Sequence, residues 1–162
     1  MLGKLMDGMN LGFDEAKESM RTVISGKATD AQIGCFLTAL RMKGETVEEV
    51  SGFASAMKDF GQRISPKVDG KLLDTCGTGG DRLNTFNIST ISAFVAAGAG
   101  VTLAKHGNRS VTSKCGSADV LEYLGLPLEI SPRAVEVLIE KVGVGFIYAP
   151  VFHPAMKHVI EP

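Results

Sequence analysis

The stretch DTCGTGGDRLNTFNIST, from Asp74 to Thr90, decides the fold, because it joins a predicted strand (71–74) to a predicted helix (about 89–97). Gly77, Gly79 and Gly80 allow the backbone angles and the close approach that a bound phosphate needs. Backbone N–H groups beside a helix N-terminus form a ready anion site. The stretch has neither the Lys-Ser/Thr of a Walker A loop nor a GxGxxG pattern, which disfavours an NAD site. It therefore predicts either a phosphate-binding turn or an ordinary turn before a helix cap.

Asp81 favours the first interpretation. A carboxylate beside a phosphate cradle is repulsive unless a cation lies between them, so its presence indicates a hydroxyl-rich or magnesium-bound ligand. Ser89 could offer its hydroxyl oxygen to the same magnesium ion. The alternative is that Asp81 caps the turn through its own backbone, as aspartate often does.

A second polar loop, KHGNRSVTSKCGSADVLE from Lys105 to Glu122, follows the next predicted strand. It holds the cations Lys105, Arg109 and Lys114 together with hydroxyl side chains. Open α/β sheets bind ligands at the carboxyl ends of their strands. We expect the glycine-rich loop and the cationic loop to grip a polyphosphate together, although a surface loop can have this composition by chance.

Short apolar runs alternate with helical patterns after residue 65, which predicts a parallel α/β sheet covered by helices. The runs VTLAKHG and VGFIYAP are the other predicted strands, and SADVLEYLG and SPRAVEVLIEKVG the helices between them. About three strands leave exposed sheet edges and little core. We therefore expect residues 65–162 to be the first part of an α/β domain that is truncated at the C-terminus.

Residues 1–64 are predicted to form a small all-α domain with a dimerisation role. Capping boxes at Thr29 and Thr46 start two helices, and a third spans about residues 14–25. The predicted inward faces are listed by helix: Ile33, Phe36, Leu37 and Leu40 in one, and Val50, Phe53, Ala54 and Met57 in the next.

The composition narrows the function classes. The chain has 162 residues and a net charge of −1, which provides no field for nucleic acid. Its three cysteines are widely spaced and form no CxxC pair, which favours a reduced, cytoplasmic protein. No apolar run is long enough for a membrane span, and no signal peptide is recognisable. We expect neither nucleic acid nor a membrane as a partner.

Three motifs together resemble the anthranilate phosphoribosyltransferase family of tryptophan biosynthesis: GTGGD (77–81), NIST (87–90) and KHGNRSVTSKCGSAD (105–119). The resemblance covers the whole chain, including FHPAMKHV (152–159). It implies that the anthranilate amine attacks C1 of 5-phosphoribosyl 1-pyrophosphate and releases pyrophosphate with Mg²⁺ as cofactor. It also implies a homodimer built on the helical domain.

The resemblance further implies roles for individual residues. Lys105 and His106 would be catalytic; Gly77, His106 and Asn108 would contact anthranilate; and Ser89 would be a magnesium ligand. The residues that would hold phosphoribosyl pyrophosphate are Gly77, Gly79, Gly80, Asp81, Thr85, Asn87, Ile88, Ser89, Thr90, Lys105, His106, Gly107, Asn108, Arg109, Ser110, Val111, Thr112, Ser113 and Ser117.

Members of that family continue past the point that corresponds to Pro162. The continuation carries an arginine that binds the anthranilate carboxylate and an Asp–Glu pair that holds magnesium, so we expect this chain alone to be inactive. Two alternatives stay open at this stage. One is a relative of the pyrimidine nucleoside phosphorylases, and the other is a non-catalytic dimerisation or ligand-binding module.

Overall fold

The computed structural model describes residues 1–77, 86–110 and 115–159. The chain divides into two units: Met1–Gly61 together with the segment that begins at His153, and Gln62–Phe152. The first unit is helical and the second is α/β. The boundary that the sequence places between residues 64 and 65 stays a prediction.

The helical unit consists of short helices, two of which begin at capping boxes that the sequence predicts. They are α1 (Leu2–Met6), α2 (Phe13–Ile24), α3 (Asp30–Lys43) and α4 (Val47–Phe60), and a 3₁₀ turn spans Pro154–His158. Both predicted capping boxes are confirmed. At α3 the Thr29 hydroxyl accepts from Gln32 N at 3.3 Å, and the Gln32 side chain accepts from Thr29 N at 2.9 Å.

The buried face of α4 differs from the prediction. Val50 and Ala54 are exposed, and the buried residues are Glu49, Gly52, Phe53 and Ala56. The reason is the close approach of α2, since a Cβ atom on Gly52 would lie 2.5 Å from the Phe13 carbonyl oxygen. The prediction is right for Phe53, which is buried, and for Met57, which is half-buried, but hydrophobicity alone missed that a glycine and a carboxylate form part of the packed side. Leu37 of α3, predicted inward, is likewise 42% exposed.

Glu49 is a fully buried carboxylate that ties three segments together. It accepts from Leu11 N at 2.8 Å, from Thr46 N at 2.8 Å and from Lys43 Nζ at 2.9 Å. Burial alone would raise the pKa of the Glu49 carboxyl, but these hydrogen bonds lower it to about 2. The capping residue thus also anchors the loop before α2.

In its described residues, the α/β unit contains two parallel strands connected by helices. Its elements are α5 (Ile88–Gly98), β1 (Leu103–Gly107), α6 (Ser117–Tyr123), α7 (Pro132–Val142), β2 (Val144–Tyr148) and α8 (Ala149–Phe152). The register runs from Leu103 opposite Val144 to Gly107 opposite Tyr148. The predicted class, α/β with an all-α N-terminal unit, is confirmed. Within the described part of the chain, no helix has the length and hydropathy needed to cross a membrane.

The predicted strand at 71–74 is reduced to a single bridge between Leu73 and Leu103. Leu73 N donates to Thr102 O at 3.0 Å, and Ala104 N donates to Leu73 O at 2.9 Å. The ladder ends there because the Asp74 carboxylate turns onto the backbone, where it accepts from Cys76 N at 2.9 Å. The turn therefore begins one residue after the bridge, beside the carboxyl half of β1.

Helix α5 is apolar on its outer side as well as its inner side. Ile88, Ile91 and Val95 are 52%, 51% and 68% exposed, whereas Thr90 and Ala93 are buried. Apolar side chains that are more than half exposed are unusual in such number on a surface helix that no other element covers. Its N-terminus nevertheless lies where the sequence places it, at the end of the glycine-rich loop.

Candidate functional site

The two polar loops meet at the side chain of Lys105. This residue lies on β1, and its Nζ is 3.5 Å from Thr75 Oγ1 and 3.5 Å from Ser89 Oγ. Thr75 belongs to the turn after the Leu73 bridge, and Ser89 to the first turn of α5. Thr75 Oγ1 also donates to Ser89 O at 2.8 Å. The turn after the Leu73 bridge, the first turn of α5 and β1 bring these three groups together at one edge of the sheet, as the positions of the two motifs predict.

Lys105 is a buried cation, with 4% of its surface exposed. Desolvation by burial lowers the pKa of its ammonium group, and the charge of Asp74 opposes that shift. In residues 1–77, 86–110 and 115–159 no carboxylate comes within ion-pair distance of it. An ammonium placed among hydroxyl groups favours the arrival of an anion, because hydroxyl oxygens do not neutralise its charge.

Asp74 organises the neighbouring backbone. Its Oδ1 atom accepts from Cys76 N at 2.9 Å and from His106 N at 3.2 Å, which links the first loop to β1. The Cys76 sulfur lies 3.8 Å from His106 Nδ1. Burial, and then the charge of Asp74, raises the pKa of the Cys76 thiol. The thiol is therefore protonated at neutral pH and is not an activated nucleophile.

The second loop is closed at its base by backbone contacts. The Asn108 carbonyl accepts from Ala118 N at 3.1 Å and from Ser117 Oγ at 3.3 Å. The Asn87 amide, at the mouth of α5, donates to Gly116 O at 3.2 Å. This contact connects the two loops a second time.

Arg109 projects toward α6. Its Nη1 and Nη2 atoms lie 2.7 and 2.8 Å from the two oxygens of Glu122, and Nη1 is 3.1 Å from Asp119 Oδ1. The sequence placed Arg109 among the donor-binding residues but assigned no role to either carboxylate. The missed signal is their spacing, since both acids follow the loop on the first turns of the predicted helix.

The hydroxyl oxygens at this edge fit a magnesium ion that arrives with a phosphorylated ligand. Mg²⁺ prefers hard oxygen ligands and commonly shares them with substrate phosphates. Thr90 Oγ1 is buried and has no hydrogen-bond partner among the described residues, beside the predicted ligand Ser89. The described residues hold no group of three or more His, Cys, Asp or Glu side chains that could bind a metal by themselves.

Several predicted site residues lie outside the described part of the chain: Gly79, Gly80, Asp81, Thr85, Val111, Thr112 and Ser113. The others flank Lys105 along the two loops: Gly77, Asn87, Ile88, Ser89, Thr90, His106, Gly107, Asn108, Arg109, Ser110 and Ser117. The Ile88 side chain is 52% exposed on the outer side of α5. Two residues that the sequence reasoning gave no role, Asp74 and Thr75, are central to the geometry.

Comparisons with known proteins agree with this architecture. Residues 1–61 match the helical bundle domain of a glycosyl transferase family, and residues 69–162 match the a/b domain of the same family. Curated relatives include the anthranilate phosphoribosyltransferase of Acetivibrio thermocellus, 58% identical over 99% of this chain. Another is that of Persephonella marina, 54% identical over 98% of this chain.

Two solved structures are similar over 98% of this chain. The anthranilate phosphoribosyltransferase of Thermus thermophilus has a TM-score of 0.88 and 43% identity. The enzyme of Saccharomyces cerevisiae, solved in complex with PRPP and Mg, has a TM-score of 0.86 and 29% identity. The match covers 48% of each solved chain and 46% and 47% of the two curated relatives. This chain therefore spans about half the length of the relatives it matches.

Proposed function

The chain belongs to the glycosyl transferase family whose helical bundle and a/b domains match it, and from that premise we propose that it forms part of an anthranilate phosphoribosyltransferase. The reaction transfers the phosphoribosyl group of phosphoribosyl pyrophosphate to the anthranilate amine, a step of tryptophan biosynthesis. The C1–O bond to pyrophosphate breaks with its electron pair on the leaving oxygen. The amine nitrogen forms the new bond to C1 and releases a proton.

The observation that carries the proposal is the buried ammonium of Lys105 between the hydroxyl groups of Thr75 and Ser89. Pyrophosphate is a good leaving group, so the protein needs to orient and neutralise it, while a protein nucleophile is unnecessary. A cation that is already desolvated interacts strongly with charge that develops beside it. Lys105 would therefore act on the leaving group as its negative charge increases.

The remaining residues would surround the donor and the acceptor. The donor-binding set would comprise Gly77, Gly79, Gly80, Asp81, Thr85, the segment 87–90, the segment 105–113 and Ser117. Anthranilate would contact Gly77, His106 and Asn108, with the imidazole of His106 near its amine. His106 is half-buried and its ring Nδ1 lies 3.8 Å from the Cys76 sulfur, which supports a defined orientation for the ring.

Magnesium would be held through Ser89 and the pyrophosphate group itself. When bound, the ion would neutralise phosphate charge and assist the departure of pyrophosphate. The chain's own contribution to holding the ion would be the hydroxyl oxygens of Ser89 and Thr90 at the mouth of α5, while the Lys105 ammonium would neutralise phosphate charge. The buried Thr90 hydroxyl supports this assignment, because a polar group in such a place gains a partner when a ligand arrives.

A cytoplasmic homodimer would complete the proposal. All three cysteines are free thiols, as in proteins of reducing compartments. The helical unit exposes Met42, Val47 and Val50 by 84%, 86% and 52%, which supports an apolar contact with a second copy.

Calorimetric titration of the chain with phosphoribosyl pyrophosphate, with and without Mg²⁺ at constant ionic strength, tests the proposal. We expect magnesium-dependent binding that free pyrophosphate displaces, and weaker binding of ribose 5-phosphate, which lacks the leaving group. Absence of magnesium-dependent binding would contradict the assignment. Phosphate-dependent cleavage of a pyrimidine nucleoside would favour a phosphorylase, and a dimer that binds neither ligand would favour an assembly module.

A further inference from the structure

The guanidinium of Arg109 already pairs with carboxylates of the same chain. Both oxygens of Glu122 accept from it, at 2.7 and 2.8 Å, in the two-pronged geometry that arginine forms with carboxylates. Asp119 adds a contact at 3.1 Å. Arg109 therefore connects the second loop to α6.

The charge around Arg109 does not favour a phosphate. Hydrogen bonding to Arg109 lowers the pKa of Glu122. Backbone hydrogen bonds, first from Gly116, lower that of Asp119. Both carboxylates are thus ionised at neutral pH, and together they outweigh the single positive charge of the guanidinium. Among the described residues in contact with Arg109, an incoming pyrophosphate would meet net negative charge and would have to displace a carboxylate to reach the arginine.

The carboxylate of Asp119 links the Arg109 side chain to the backbone at both ends of the loop. While Oδ1 faces the guanidinium, Oδ2 accepts from Gly116 N at 2.7 Å and from Ser110 N at 3.1 Å. The two ends of the loop touch, since a Cβ atom on Gly116 would lie 2.4 Å from Ser110 N. The same segment contacts the first loop, because Gly116 O accepts from the Asn87 amide.

We infer that Arg109 is a positioning residue that sets the base of the donor-binding loop through Asp119 and Glu122, and that its side chain does not contact the phosphates. The inference rests on the proposed function, because it assigns a task within the phosphoribosyl pyrophosphate site. It makes Glu122, to which the sequence analysis gave no role, as important for donor binding as Arg109.

A double-mutant cycle separates this role from that of a phosphate ligand. The full chain is prepared as Arg109→Ala, Glu122→Ala and the double variant, and the Kd for phosphoribosyl pyrophosphate with Mg²⁺ is measured by calorimetry. We expect each single change to weaken binding about 10-fold and the double change to add little, because the pair acts as a unit. Unchanged or tighter binding by Glu122→Ala, beside a large loss in Arg109→Ala, would overturn the inference.

Two further variants sharpen the cycle. Arg109→Lys keeps the charge but loses the planar two-pronged contact, so we expect it to bind as weakly as Arg109→Ala; recovery of wild-type binding would contradict the inference. Arg133→Ala is the matched control, since Arg133 pairs with Glu136 on the surface of α7 at 2.8 Å. Its Kd should equal that of the wild type.

Hydrogen exchange gives a readout that needs no substrate. The amide protons of Ser110 and Gly116 should lose protection about 10-fold in both Arg109→Ala and Glu122→Ala, while those of α7 keep theirs. If the wild type binds no phosphoribosyl pyrophosphate, the proposed function fails. Equal loss of protection in the two variants would even then support the positioning role, and unchanged protection would overturn it.

Discussion

At the scale of single residues, Lys105 combines a cost in stability with a gain in binding. Its ammonium group is buried, its pKa is lowered by desolvation, and its hydrogen-bond partners among the described residues are the neutral hydroxyl groups of Thr75 and Ser89. Groups of this kind are common at functional sites, where stability is given up for interaction with a ligand. The residue therefore offers a direct test of the site.

Replacing Lys105 by methionine should weaken donor binding strongly while leaving the fold intact. Methionine keeps the aliphatic length and removes the buried charge, so we expect an unchanged or slightly higher Tm. Binding of phosphoribosyl pyrophosphate should fall on the order of 100-fold, corresponding to about 2–4 kcal/mol for a preorganised donor. Calorimetry and thermal denaturation provide the two readouts. The exposed Lys141 of α7, changed to methionine, is the control, and equal losses of stability and binding in Lys105→Met would argue for a structural role.

The same residue predicts a dependence on pH. Because the folded pKa of Lys105 is lowered relative to the unfolded chain, the folded state binds this proton less tightly. The buried charge of Lys105 destabilises the folded state at neutral pH, and this destabilisation disappears as the pH rises through the lowered pKa. Donor binding needs the ammonium form and should weaken over that interval. Kd and Tm measured from neutral pH to about 10 should show both trends in the wild type and neither in Lys105→Met.

Glu49 is the opposite case, a buried charge that stabilises the folded state. Changing Glu49 to glutamine leaves Lys43 and two backbone N–H groups without their anion, which should cost about 3 kcal/mol in the free energy of unfolding. The same change at the neighbouring Glu48, which is exposed, should lower the free energy of unfolding only slightly. The folded pKa of about 2 is below the unfolded value of 4.5, so the contribution of Glu49 is complete above pH 4.5 and is lost as the pH falls toward 2. Denaturant titrations across that range measure it, and a constant difference between variant and wild type would contradict the assignment.

At the scale of elements, the contact between α2 and α4 depends on a missing side chain. Gly52→Ala would place a Cβ atom 2.5 Å from the Phe13 carbonyl oxygen and 2.8 Å from Ala16 Cβ. Alanine favours a helix by about 1 kcal/mol over glycine, but separation of the helices should cost about 1–3 kcal/mol or more. We expect a lower Tm.

Gly34 supplies a control of opposite sign for that experiment. It lies inside α3, and an added Cβ atom would meet nothing within 4 Å. Gly34→Ala should therefore gain helix propensity without a clash and raise the Tm. If both alanine variants stabilise the protein, the proposed close approach of α2 and α4 is wrong.

Helix starts were predictable from the sequence because their chemistry is local. Thr29 and Thr46 cap helices with side chains three residues away, and Ser131 caps α7 ahead of Pro132. The buried side of α4 was not predictable, since it depends on the tertiary fit of Gly52 and on the partners of Glu49. The strand at 71–74 was not predictable either, because the ladder ends after Leu73, where the Asp74 carboxylate accepts from Cys76 N and from His106 N on β1.

The candidate site was likewise predictable from the sequence only in part. The two loop motifs and the strand-end rule predicted that Lys105 and Ser89 belong to one edge of the sheet. The part played by Thr75 could not be read from composition, because its hydroxyl matters only through its distance from Lys105. The pairing of Arg109 with Glu122 was equally hidden, since it depends on the first turns of α6 lying beside the loop.

At the scale of the whole molecule, the exposed apolar residues of the helical unit predict self-association. Val47→Glu places a charge at the start of α4 on a residue that is 86% exposed, so the monomer should fold normally while a homodimer is weakened. Sedimentation equilibrium measures the effect. Val142→Glu, on a valine that is 69% exposed in the α/β unit, is the control. A dimer that resists the first change would show that another surface forms the contact.

The protonated thiol of Cys76 has a practical consequence for handling the protein. Alkylating reagents attack the thiolate, so at neutral pH this exposed sulfur should react slowly despite its accessibility. A fluorescent maleimide could then be attached at a cysteine introduced elsewhere, in a background that keeps Cys76 but replaces the free thiols Cys35 and Cys115, without blocking the glycine-rich turn. Labelling at alkaline pH would lose that selectivity.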